Sequence, residues 1–192
     1  MYLDPDYRRD LEAFEEANSE DSQMRAAIEV VKQQPTAIWL DTFDMLYIGD
    51  EATNRRSLLE HLEEATIQQN ALSDNEYIPP MAIQIVVQLN PIPAPHGDQA
   101  ELGYTEDDLE KYETAFIDEL KELTEAYANL RFIIVLEPNT VPDLLMVSCL
   151  PEKLFCQQRH TDTGDLIRYA TKTLGDTVDR NTYLYLGIGH SA

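Results

Sequence analysis

Basic residues are scarce in this chain. Its 192 residues hold 14 lysines and arginines against 36 aspartates and glutamates, a formal net charge of -22. A surface that acidic repels nucleic-acid phosphates and anionic membrane headgroups, so neither is expected as a partner. Long apolar runs are missing too: no stretch reaches the roughly 18 apolar residues of a membrane helix. The opening Met1-Tyr-Leu-Asp-Pro-Asp-Tyr-Arg-Arg9 lacks the basic start and apolar run of a secretory leader, which reads as an intracellular chain or one shortened at its front. Only Cys149 and Cys156 are present, too few for a disulfide framework, and both read as thiols. His61, His96, His160 and His190 show no zinc-ligand spacing with one another or with the cysteines, so no metal is expected. No Gly-rich phosphate loop, serine elbow or Cys–His pair occurs, and no cofactor is expected.

What remains is ordinary globular composition, 43% hydrophobic and 26% charged, in a length suited to a single domain, 1–192. Helical patterns alternate with short apolar runs, the signature of parallel βα units and so of an α/β fold. Met24, Ile28 and Val31 recur at helical spacing before Pro35. Thr36–Asp41 reads as the first strand. Leu58, Leu62 and Ala65 mark the next helix. Ile83–Leu89, dense in β-branched residues, reads as the second strand. The segment 90–98 carries three prolines and a glycine and must be a loop. Thr105 and Asp108 make a capping box at the head of a helix whose apolar face runs from Leu109 through Tyr112 and Phe116 to Tyr127. Arg131–Glu137, nearly all apolar, reads as a strand buried on both faces. A helix through Leu166, Ala170 and Leu174 leads to a fourth strand, Tyr183–Gly189. Four such units are about half of a β/α barrel, and a half barrel leaves two strand edges and one core face without partners, open to homo-oligomer contact.

In barrels of this kind chemistry gathers at the carboxyl ends of the strands. Here those ends read Asp41-Thr-Phe-Asp44, the loop to Asp98, Glu137-Pro-Asn-Thr140 and Gly187-Ile-Gly-His190. Carboxylates facing one another across a cleft suit glycoside hydrolysis, one as acid and one as base. Polar residues at strand ends also simply meet solvent or cap the next helix. Trp39, the only tryptophan, has the face on which sugars stack, although a strand tryptophan more often belongs to a core.

Taken in order, these segments resemble glycoside hydrolase family 6, the cellobiohydrolases and endoglucanases acting on β-1,4-glucan. The resemblance rests on Gln34-Pro-Thr-Ala-Ile-Trp-Leu-Asp-Thr-Phe-Asp44, on Tyr112 with Phe116-Ile-Asp118, on Ile133-Ile-Val-Leu-Glu-Pro-Asn-Thr-Val-Pro-Asp-Leu-Leu145, and on Tyr169-Ala170 with Tyr183-Leu-Tyr-Leu-Gly-Ile-Gly-His190. It is collinear from about residue 24 to 191. It implies the family's distorted barrel, here only its N-terminal part, a protein normally secreted, and a glucan cleft touched by Trp39, Asp41, Glu137 and His190. It also implies departures. The family's general acid is the Asp of Glu-Pro-Asp, and that position is Asn139. The second family Asp, which tunes the acid, has its counterpart in Asp98, with Gln99 where the family has a cysteine. Gly187 stands where the last of these strands carries an Asp, and the proposed base falls beyond Ala192. The expectation is therefore a cellulase-like chain without hydrolase activity, with a glucan-binding or protein-interaction module, or a hydrolase relying on Asp98 and Glu137, as alternatives.

Overall fold

The computed structural model describes residues 1–72, 79–92, 104–141, 154–175 and 181–187, with side chains from 157 onward in the fourth stretch. Two helices come first, α1 (Pro5–Ala17) and α2 (Ser22–Val31). Strand β1 (Ala37–Leu40) and a 3-10 turn (Phe43–Leu46) lead to α3 (Leu58–Ala71) and β2 (Ala82–Val87). One continuous rod follows: α4 (Glu106–Glu110), a π-helical stretch (Lys111–Asp118) and α5 (Glu119–Ala126). Then come β3 (Arg131–Leu136), α6 (Leu154–Gly175) and β4 (Thr182–Leu186).

The strands form one open, parallel sheet in the order β1-β2-β3-β4. The register sorts the side chains, because alternate residues of a strand face opposite sides. Ile38, Leu40, Ile83, Ile85, Val87, Phe132, Ile134 and Leu136 share one face and are buried. On that face they join Leu58, Leu62 and Ala65 of α3, Tyr112, Phe116 and Ile117 of the rod, and Leu166, Ala170 and Leu174 of α6 in one core. On the opposite face the described residues are more exposed, Val86 excepted. One row across it reads Trp39, Val86, Val135, Tyr185, with Tyr183 beside it; Trp39 is 47% exposed and Tyr185 56%.

Two expectations are corrected here. Strand β3 is not buried on both faces: Phe132, Ile134 and Leu136 are buried, whereas Ile133 and Val135 are only half-buried, because the described helices cover one side of the sheet. Trp39 is likewise no core residue, since it points to the more exposed side. Neither α1 nor the π-helical stretch was legible in advance. The first is anchored by Tyr2, whose hydroxyl bonds His61 Nδ1 at 2.7 Å and whose N–H donates to the Ala82 carbonyl at 2.9 Å.

Two capping boxes form, the expected one at Thr105 and a second at Ser57. The Ser57 N–H donates to Glu60 Oε2 at 2.8 Å while the Glu60 N–H donates to Ser57 Oγ at 3.3 Å, and Thr105 and Asp108 repeat the pattern. Ser57 is fully buried, and losing its hydroxyl takes the acceptor from the Glu60 N–H and a donor from the Glu60 carboxylate. Ser57→Ala should lower stability by about 1–2 kcal/mol, seen as a reduced urea midpoint at unchanged slope.

Candidate functional site at the strand ends

Because Leu40, Val87, Leu136 and Leu186 lie in register, the residues after them line up across the carboxyl end of the sheet: Asp41, Gln88, Glu137 and Gly187. Neighbouring strands lie ~4.8 Å apart, so the backbones of Asp41 and Glu137 are separated by about 10 Å.

Glu137 is the structural centre of this row. Its φ is 46°, in the left-handed region that a side chain with a Cβ seldom enters. Hydrogen bonds hold it there. Its N–H donates to the Val87 carbonyl at 2.7 Å, and its carbonyl accepts from the Thr140 N–H at 3.2 Å. Its carboxyl is only 1% exposed: Oε1 accepts from the Leu89 N–H and the Tyr112 hydroxyl, both at 3.0 Å, and Oε2 accepts from the Thr140 hydroxyl at 3.1 Å. The Thr140 hydroxyl in turn accepts from Asn90 Nδ2 at 3.3 Å. Burial pushes the Glu137 carboxyl above the ordinary glutamate range, although these donors pull the other way. Burial and the neighbouring carboxyl raise the Tyr112 hydroxyl well above a normal phenol. A carboxyl so enclosed braces β2, β3 and the helical rod.

Asp41 is half exposed and already engaged: Arg55 Nη1 reaches its two oxygens at 3.1 and 3.0 Å, and Arg55 Nη2 donates to the Trp39 carbonyl. Arg55 is delivered by a tight loop turning at Gly49, whose φ is +81° and where a Cβ would fall 2.4 Å from the Arg55 carbonyl oxygen. Asn139 is exposed, one residue beyond Pro138. Gly187 packs on that same turn: its N–H donates to the Leu136 carbonyl at 3.2 Å, and a Cβ there would meet Pro138 Cα at 2.3 Å. Asp98, Cys149 and His190 lie outside the described residues, as does the side chain of Cys156.

Trp39, Asp41, Glu137 and Asn139 therefore fall at one end of the sheet, with Trp39 and Asn139 open to solvent. Sequence reasoning missed Arg55 as the partner of Asp41, the Tyr112 and Thr140 hydroxyls as partners of Glu137, and the contact of Gly187 with Pro138. The glycine near the start of the 47–56 loop was the available hint for Arg55. The contacts of Tyr112 with Glu137 and of Gly187 with Pro138 join residues far apart in the chain, so nothing local marked them. Among the described residues one group has the composition of a metal site, Asp4, Asp6 and His61 near the start of α1. Their polar atoms serve the fold: Asp4 caps α1, Asp6 Oδ2 accepts from the Arg56 N–H at 2.7 Å, and His61 holds Tyr2.

Comparison with known proteins gives one answer. The family model described as Glycosyl hydrolases family 6 matches residues 1–192. Exoglucanase A of Cellulomonas fimi is 27% identical over 199 residues, an alignment that takes in 100% of this chain and 21% of that protein. Among solved structures, the catalytic domain of Cellulomonas fimi Cel6B superposes with a TM-score of 0.71 at 23% identity, covering 96% of this chain and 40% of that one. The cellobiohydrolase Cel6A from Humicola insolens, solved in complex with glucose and cellotetraose, gives 0.67 at 22% identity, covering 96% and 47%. The chain spans a fifth to about half of the length of these relatives, and its open sheet with flanking helices corresponds to part of their distorted barrel.

The brace at Glu137 makes two outcomes measurable. Glu137→Ala should cost about 3 kcal/mol, because the Leu89 N–H and the Tyr112 hydroxyl are left buried without an acceptor. Glu137→Gln keeps an oxygen for both donors. A carboxyl raised in the folded state contributes most below its unfolded pKa and progressively less as pH climbs to its folded value. The stability of Glu137→Gln relative to the unmutated chain should therefore rise as pH increases from the ordinary glutamate range, read from paired melting curves; a difference that falls with pH would contradict the assignment. Gly187→Asp should destabilise by about 2 kcal/mol through overpacking on Pro138, checked by the same melts.

Proposed function

The chain belongs to the glycosyl hydrolases family 6, and from that premise we propose that it holds a β-1,4-glucan chain without cutting it. The observation that carries the proposal is the pairing of Asn139 with Gly187. Asn139 stands where the resemblance puts the general acid, and an amide has no proton to give a leaving glycosidic oxygen; such help is typically worth ~10²–10⁴-fold. Gly187 stands where the family carries an Asp, and its backbone sits so close to Pro138 that a side chain has no room. Glu137 does not substitute, since its carboxyl is spent on Leu89, Tyr112 and Thr140.

Support for sugar binding comes from Trp39. Its ring is 47% exposed at the carboxyl end of β1, beside the Asp41–Arg55 pair, which offers hydroxyl-directed acceptors and donors next to an aromatic face. A second reading draws on the more exposed sheet face. Trp39 at one edge of that face and Tyr183 and Tyr185 at the other are exposed aromatics that also suit a protein contact, including one between copies of this chain.

Titration of the purified chain with cellohexaose, followed by the fluorescence of its sole tryptophan, separates these readings. The proposal expects a saturable change and hexaose recovered at its original length. Trp39→Ala should weaken binding at least about tenfold by calorimetry, and Asn139→Asp should bring no turnover. Shortened sugar from the unmutated chain would overturn the absence of cutting. A folded chain with no saturable response would leave the protein-contact reading.

A further inference from the structure

Five of the described arginines, Arg9, Arg25, Arg55, Arg56 and Arg168, each face an aspartate or glutamate. A buried one does not. Arg159, on the first half of α6, is 2% exposed, and neither Nη1 nor Nη2 has a hydrogen-bond partner. A guanidinium does not discharge at any pH a protein survives, so this is a permanent buried cation whose two terminal nitrogens have no acceptor among the described residues. One turn along, Thr163 is 1% exposed and its hydroxyl is also unpartnered. Residues four apart share a helix face, so two orphan donors of different kinds, a planar fork and a hydroxyl, lie side by side.

The nearby carboxylate is already committed. Asp162 Oδ2 accepts from the Tyr104 hydroxyl at 2.6 Å and Oδ1 from Gln158 Nε2 at 2.7 Å. Among the described residues neither Nη group of Arg159 finds an acceptor. α6 carries the crossover between parallel neighbours β3 and β4, so its first half lies toward the carboxyl end of the sheet, the end that carries Trp39 and Asn139.

We propose that Arg159 and Thr163 form the recognition pair of a site for a small carboxylate ligand. The two free Nη groups match the two oxygens of a carboxylate in a fork-to-fork contact, and the Thr163 hydroxyl adds a third donor. The carboxyl group of the adjacent Asp162 favours a ligand of low negative charge, a monoanion over the dianionic form of phosphate. The site is separate from the glucan reading, and a neutral sugar has no claim on it.

The test is thermal melting of the whole chain against glucuronate, glucose, phosphate and chloride at matched ionic strength. Glucuronate should raise Tm saturably, by about 5–10 °C at a hundredfold excess over Kd. Glucose and chloride should do nothing, and phosphate should do less. A rise with glucose or chloride equal to that with glucuronate, or a phosphate effect as large, would overturn the carboxylate assignment. Arg159→Met should melt no lower than the unmutated chain in ligand-free buffer, since it removes an uncompensated charge, and should ignore glucuronate. If Arg159→Met unfolds or melts well below it, the arginine is already paired within the fold and the proposal fails. Thr163→Val, which keeps the guanidinium, should retain the response with affinity reduced several-fold; an unchanged Kd would remove Thr163 from the site.

Discussion

The strand ends of this protein are organised around a carboxyl that cannot reach solvent. Glu137 leaves β3 with a left-handed backbone, a conformation that costs a non-glycine residue of order 1–3 kcal/mol. It is held there because its side chain collects donors from three separate pieces of chain: the Leu89 N–H after β2, the Tyr112 hydroxyl from the helical rod and the Thr140 hydroxyl just beyond it. Each of those donors would be stranded in the interior without it. The carboxyl thereby ties the exit of β2, the exit of β3 and the rod into one unit, and the direction in which the chain leaves β3 toward Pro138 and Asn139 follows from that tie.

The rest of the site inherits this geometry. The turn after Glu137 brings Pro138 against the backbone of Gly187, which leaves no volume for a side chain at the end of β4. Asn139 is turned outward into solvent. On the far side of the row Arg55 pins Asp41 and the Trp39 carbonyl, fixing β1 at its outer edge while the indole stays exposed. The end of the sheet therefore has a firm floor and an aromatic wall, but the carboxyl within it is structural.

Much of the fold was legible from the residues alone. The β-branched density of Ile83–Val87 and Arg131–Leu136 announced parallel strands, and the Thr105–Asp108 spacing announced a cap that forms. The positions gathered at the strand ends, Asp41, Glu137 and Asn139, were also legible, because parallel βα order places them there. What could not be read were consequences of packing between distant segments. An apolar strand reads the same whether one of its faces is covered or both, so the half-buried state of Ile133 and Val135 and the exposure of Trp39 were invisible. The π-helical stretch Lys111–Asp118 hides in the same spacing as an ordinary amphipathic helix. The unpartnered Nη groups of Arg159 can be seen only in the folded structure.

The central claim, that the carboxyl at the heart of the strand ends is a buried brace rather than a cleft group, is tested most directly by following the side-chain carbon of Glu137 by NMR through an acid titration. The account predicts a titration displaced above the ordinary glutamate value and unchanged by added cellohexaose. A carboxyl titrating at the ordinary value, or shifting when the sugar is added, would contradict it.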